Sequence, residues 1–118
     1  MTQVFADRVK YAVQDRVALI TLERAARLNA FDAAMYQGVN EALTAFHADD
    51  DAWVAVIQAA GDKAFSVGAD VNALNENANQ GITTGLGGLL LDQEMVTDKP
   101  LLVAVQGYCV GEGVNLVL

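Results

Sequence analysis

Basic residues are scarce in this chain: 7 lysines and arginines stand against 15 acidic residues over 118 positions, a net charge of −8. Arg8, Lys10, Arg16, Arg24, Arg27, Lys63 and Lys99 are also scattered. Phosphate recognition needs such charges clustered, so nucleic acid is not an expected partner. One cysteine, Cys109, excludes an internal disulfide and fits a reducing, cytoplasmic compartment. The longest apolar stretches, Val17–Leu22 and Leu89–Leu91, fall far short of the ~20 residues that span a bilayer, so no membrane association is expected. The opening residues 1–7 lack the charged-then-apolar order of a secretory signal. Polar residues are scarce at the other end. Gly113–Leu118 is apolar and carries no cap, which predicts a chain cut inside a buried helix.

What is present is a hydrophobic fraction of 53%, enough for one compact core and not for two domains. Val9–Val13 and Val17–Leu22 flank a turn and read as a hairpin, the second strand apolar on both faces and hence buried. Asp32 stands where a cap belongs, ahead of a helix reaching about His47. Met35, Val39, Leu43 and Phe46 form its apolar stripe. Trp53–Ile57 is a third strand, and a short helix is expected near Val71–Asn77. Asn79–Gly88 reads as a mobile loop, Leu89–Thr97 as a helix closed by Pro100, and Leu101–Val105 as a fourth strand. Strands alternating with helices predict an α/β fold with a partly parallel sheet.

Two glycine-bearing turns each follow a strand and open a helix: residues 64–70, Ala-Phe-Ser-Val-Gly-Ala-Asp, and residues 107–113, Gly-Tyr-Cys-Val-Gly-Glu-Gly. Backbone N–H groups are unpaired at a helix start, and two such turns facing one cleft could aim two donors at a single oxygen. Taken singly, either set of glycines is explained by positive φ or close packing alone.

Together the two turns, with the residues before them, resemble the enoyl-CoA hydratase/isomerase (crotonase) family. Val17–Leu22 followed by Arg27-Leu28-Asn29-Ala30-Phe31 is similar to the family's opening strand and basic-x-Asn-Ala-Leu segment. Residues 56–71 resemble its Phe-x-x-Gly-Ala-Asp-Leu signature, and residues 100–113 its Pro-x-x-Ala-x-x-Gly-x-x-x-Gly-x-Gly signature. The resemblance implies a β-β-α spiral core of the ClpP/crotonase type. It also implies that residues 1–118 are the N-terminal part of a single, longer domain. The implied ligand is an acyl-CoA thioester, with no cofactor beyond the substrate's own coenzyme A and no metal. The implied parent is a trimer-based homo-oligomer.

Residue by residue, the resemblance puts one oxyanion-hole N–H on Ala69, after Gly68, and the other on Glu112, after Gly111. The carboxylate of Glu112 must then point away from the thioester. Asp70, Val71 and Asn72 fall where the family lines the thioester and adenine region, and Arg27 and Ala30 near the pantetheine and phosphate entrance. Arg27 could equally be a solvated loop charge, and Asp70 a helix cap. Asn115 falls at the position of a hydratase glutamate. An amide can hydrogen-bond water but cannot take its proton. Glu112, three residues earlier on the same helical face, is a candidate replacement. Hydration by this chain alone is therefore doubtful, while isomerase or thioester hydrolase chemistry stays open. The acyl chain is expected along Leu89–Leu91 or over the Asn79–Gly88 loop.

Gly107-Tyr108-Cys109-Val110-Gly111 also fits the Gly-x-nucleophile-x-Gly elbow of an α/β-hydrolase, with Cys109 as nucleophile. That reading needs a histidine after the nucleophile, whereas His47 lies upstream, and it leaves Gly68-Ala69-Asp70 without a role. As a small packed side chain Cys109 needs no such partner. A dinucleotide site is weaker still, because no G-x-G-x-x-G follows the first strand and Glu112 would repel a pyrophosphate. A non-enzymatic, degenerate relative is the third reading, suggested by Asn115 and the apolar Leu116-Val117-Leu118.

Overall fold

The computed structural model describes residues 2–81, 85–92 and 97–118. The hairpin forms as β2 (Val9–Gln14) and β3 (Val17–Leu22), paired antiparallel with Gln14 opposite Val17. Asp15 and Arg16 both take positive φ, the backbone that a two-residue hairpin turn requires. A further strand, β1 (Thr2–Phe5), adds antiparallel to β2. Only four residues long and polar at its start, it carries no alternation by which to recognise it.

Helix α1 (Ala33–Ala48) starts where expected, because the Asp32 carboxylate accepts the Met35 N–H at 2.8 Å. Met35, Val39, Leu43 and Phe46 are fully buried, so the stripe faces the core against Val9, Ile20 and Leu22. At the far end Lys99 Nζ donates to the carbonyls of Phe46 and Asp49, both at 2.7 Å.

Strand β4 runs from Val54 to Ala59 and lies parallel to β3, and β6 (Leu101–Val103) lies parallel to β4. The sheet order is β1-β2-β3-β4-β6, antiparallel on one side and parallel on the other. The fourth strand is thus shorter than Leu101–Val105, and Trp53 lies outside the third. The reading of β3 as buried on both faces is incorrect. Ala18, Ile20 and Leu22 are buried beneath α1, but Leu19 on the opposite face is exposed, because among the described residues α1 covers one face only. The helix expected over Leu89–Thr97 is not formed as such. A 3-10 turn occupies Leu90–Asp92, Thr97 is non-helical, and residues 93–96 lie outside the described set. In the expected mobile loop, Asn79 ends α2 (Val71–Asn79), and residues 82–84 lie outside the described set.

Two short strands, β5 (Ala64–Ser66) and β7 (Tyr108–Cys109), pair parallel in a second sheet, and α3 spans Glu112–Val117. That small sheet brings the two glycine turns together. Among the described residues no helix is long and apolar enough to cross a membrane.

Candidate active site

The first glycine turn is organised by a buried asparagine. Leu28 and Asn29 both have positive φ, a conformation Asn tolerates better than most residues, and Asn29 is completely buried. Its Oδ1 accepts the Arg24 N–H at 2.9 Å, while Nδ2 donates to the carbonyls of Ala60 and Ala64 at 2.9 and 3.1 Å. Its own carbonyl accepts the Ser66 hydroxyl at 2.8 Å, and Ser66 Oγ accepts the Gly68 N–H at 3.1 Å. One side chain thus joins the segment after β3 to both ends of the β4–β5 connection. It reaches the turn through Ser66.

The second turn is built against the first. The Val110 N–H donates to the Ser66 carbonyl at 3.0 Å. A Cβ on Gly113 would stand 2.7 Å from that same carbonyl oxygen, so only glycine lets α3 approach β5 this closely. At Gly68, φ is +91°, and a Cβ there would lie 2.9 Å from the Val110 carbonyl and 3.3 Å from the Glu112 nitrogen. Gly68 and Gly111 are therefore in backbone contact.

Ala69 follows in an isolated parallel bridge with Phe31. The Phe31 N–H donates to the Gly68 carbonyl at 2.7 Å, and the Asp70 N–H donates to the Phe31 carbonyl at 2.8 Å. Successive peptide groups of an extended segment point to opposite sides, so the Ala69 N–H is turned away from Phe31. Among the described residues, neither the Ala69 N–H nor the Glu112 N–H is used in a hydrogen bond.

Asp70 is buried and caps α2 by accepting the Ala73 N–H at 3.2 Å, as its cap reading predicts. Its other oxygen accepts from Arg24 Nη1 at 2.8 Å. Arg24 also donates to the Ala30 carbonyl at 3.1 Å and reaches Asp32 at 3.5 Å, while Arg8 binds Asp32 at 2.9 Å. Burial opposes ionisation of Asp70, yet the hydrogen bonds from Arg24 and Ala73 outweigh it and hold the acid below the usual carboxylate range. Asp32 is likewise held low: burial is outweighed by Arg8, the Met35 N–H and the charge of Arg24. Arg27, Asp70 and Asn72 line one cleft of about 190 Å³ whose lining includes neither Ala69 nor Glu112. Arg27 itself is exposed, Val71 is exposed, and Ala30 is buried.

A polar group surrounds Asn115. Its Nδ2 donates to Asp92 Oδ2 at 2.8 Å and to Glu112 Oε1 at 3.2 Å. The Glu112 side chain is thus turned along α3. Tyr36, buried on α1, faces the same group. Burial, then the negative charges of Glu112 and Asp92, push its phenol up to about 12. Asp92 is placed there by Asn40 of α1, whose amide donates to the Gly88 carbonyl and accepts the Leu90 N–H, each at 2.9 Å.

Sequence reasoning passed over Arg24, Asn40, Tyr36 and Asp92 as site residues. Arg24 has its carboxylate partner 46 positions away, and the others likewise have partners far away in the chain. Cys109 lies within β7, paired with Ser66. That position is inside a strand and not on the sharp strand-to-helix turn a nucleophile elbow requires. His47 is exposed in the last turn of α1.

Residues 12–118 match the family model described as enoyl-CoA hydratase/isomerase. A probable enoyl-CoA hydratase of Rhizobium meliloti (strain 1021) is 36% identical over 107 residues, which are 89% of this chain and 40% of that protein. The carnitinyl-CoA dehydratase of Salmonella enteritidis PT4 is 38% identical over 100 residues, 84% of this chain and 38% of that one. Among solved structures, a probable enoyl-CoA hydratase/isomerase from Mycobacterium abscessus superposes with a TM-score of 0.79 at 32% identity. The match covers 95% of this chain and 42% of that one. The chain spans well under half the length of these relatives.

Proposed function

From the premise that this chain belongs to the enoyl-CoA hydratase/isomerase family, we propose that it binds an acyl-CoA thioester and polarises its carbonyl through the N–H groups of Ala69 and Glu112. The observation that carries this reading is the backbone contact between Gly68 and Gly111, next to two N–H groups with no acceptor among the described residues. Preorganised donors aimed at a developing oxyanion contribute more than donors that must reorient, because their ordering cost is met during folding. Two such amides would favour the enolate over the neutral thioester. That enolate is the common intermediate of water addition to a 2-enoyl thioester and of proton shifts along the acyl chain.

Glu112 serves here through its backbone, and its carboxylate is occupied with Asn115. Asn115 can orient a water but cannot accept a proton from it, so isomerase-type proton shifts suit this chain better than hydration. Arg27 and Asn72, with Asp70 between them, would receive the polar part of coenzyme A in their cleft. In this reading the protein acts in the cytoplasm and as a trimer-based homo-oligomer.

The test is binding of crotonyl-CoA against coenzyme A alone by the protein at its natural length, followed by assay for hydration and isomerisation. A preference for the thioester is expected, and Gly68→Ala should abolish it. Equal affinity for coenzyme A and crotonyl-CoA would sink the reading.

A further inference from the structure

A family reaction needs a group that moves a proton, and Asn115 cannot be that group. We propose that Asp92 is the catalytic carboxylate, taking and returning a proton at C2 of the acyl group. This inference rests on the thioester reading above.

A cavity of about 370 Å³ opens beside α3, walled by apolar residues that include Ile57, Leu89, Leu91 and Val103 and by the last residues of the chain, Leu116–Leu118. Asp92 and Asn115 are its two polar lining residues, and they are hydrogen-bonded to each other at 2.8 Å. An apolar cavity with a few converging polar groups is the usual form of a small-molecule site. Its occupant here is the acyl chain, which enters from the thioester end. Asn115 stands one helical turn beyond Glu112, roughly 4.5 Å along the axis, so the polar end of the cavity lies one turn from the second amide donor. Glu112 is not among the lining residues, and its carboxylate already accepts from Asn115 next to Tyr36.

Asn115 has a different task. Its amide hydrogens are committed to Asp92 and Glu112. It therefore fixes Asp92 at the mouth of the cavity while leaving that carboxylate's second oxygen free of the contact. Asn40 fixes the same residue from behind, by gripping Gly88 and Leu90. The position is held from two sides.

In the step itself, the C2–H bond breaks and the proton passes to Asp92, which becomes neutral. The electron pair forms the C1–C2 double bond and displaces the carbonyl π pair onto oxygen. The resulting enolate, carrying the one negative charge, is held by the Ala69 and Glu112 amides. Reversal returns a proton to carbon and restores the carboxylate.

The experiment follows deuterium incorporation at C2 of butyryl-CoA in D₂O by NMR, alongside butyryl-CoA affinity, in the protein at its natural length. Exchange is expected in the wild type. Asp92→Asn should cut exchange about 100-fold or more while affinity changes far less, and Asp92→Glu should recover part of the rate. Asp92→Asn is nearly isosteric and exposed, so the fold is not at stake. Wild-type exchange in Asp92→Asn, or loss of exchange in Glu112→Gln but not in Asp92→Asn, overturns the proposal. Binding without any exchange overturns it too, while leaving the thioester reading standing. Failure to bind butyryl-CoA overturns both.

Discussion

The two glycine turns meet at one point but are held there by different means. The 64–70 turn is tied by side chains reaching in from far along the chain: Asn29 to Ala60 and Ala64, Ser66 to Asn29, and Arg24 to Asp70. Among the described residues, the 107–113 turn has no such side-chain ties to the core. It is placed through its backbone, by the Tyr108 N–H on the Lys63 carbonyl, the Val110 N–H on the Ser66 carbonyl and the close approach of Gly113, while its Glu112 side chain accepts from Asn115. One turn is part of the folding core, and the other is docked on it. Damage to the first should therefore appear as lost stability, and damage to the second chiefly as lost ligand binding.

The contrast breaks most sharply at Asn29. Asn29→Ala leaves the Arg24 N–H and two carbonyls without their partners, at roughly 1 kcal/mol or more for each orphaned group. Urea unfolding should show a loss of about 3 kcal/mol or more. A loss under 1 kcal/mol would mean the first turn is not organised by this residue.

Gly113→Ala comes next. Its Cβ meets the Ser66 carbonyl, so α3 must shift, at about 1–3 kcal/mol, with thioester affinity falling further than stability does. Stability and affinity falling in proportion would erase the distinction between the turns.

A smaller effect is expected at Arg24. The native acids of Asp70 and Asp32 lie below the usual value near 3.9, so their contribution is present above that pH and is lost as pH falls through the lower native values. Arg24→Gln leaves Asp70 under the opposing influence of burial. The acid limb of the stability curve should then move to higher pH, with about 1 kcal/mol lost near pH 4. An unchanged acid limb would show that Arg24 does not hold these carboxylates.

The smallest effect lies in the docked turn. The phenol of Tyr36 should titrate near 12 by ultraviolet absorbance, identified by its loss in Tyr36→Phe, and should titrate lower in Glu112→Gln, where one of the charges raising it is gone. Because the unfolded phenol ionises near 10, the stability Tyr36 contributes is present below that pH and drains away between there and about 12. Titration unmoved by Glu112→Gln would separate Tyr36 from the group around Asn115.

The same division explains what could be read from the sequence. Helix α1, its Asp32 cap and its stripe were legible, because they are written in spacings of three and four residues. The hairpin, the partly parallel sheet and both glycine turns were legible from local composition. Arg24 was not, since its partner Asp70 lies 46 positions away. Nor was Asp92, 23 positions from Asn115 in a segment misread as one helix. Strands β1, β5 and β7, four residues or fewer each, are too short to show a period. The error on β3 has the same root: apolar composition records what a strand could bury, and not which face a helix covers.

The account's central claim is that the Ala69 and Glu112 amides share one oxygen. Its most direct test is to follow both backbone amide resonances by NMR while titrating butyryl-CoA and, separately, coenzyme A. The prediction is that the two resonances move together along one saturation curve with the thioester and stay in place with coenzyme A alone. Movement of only one of them, or the same response to coenzyme A, would contradict it.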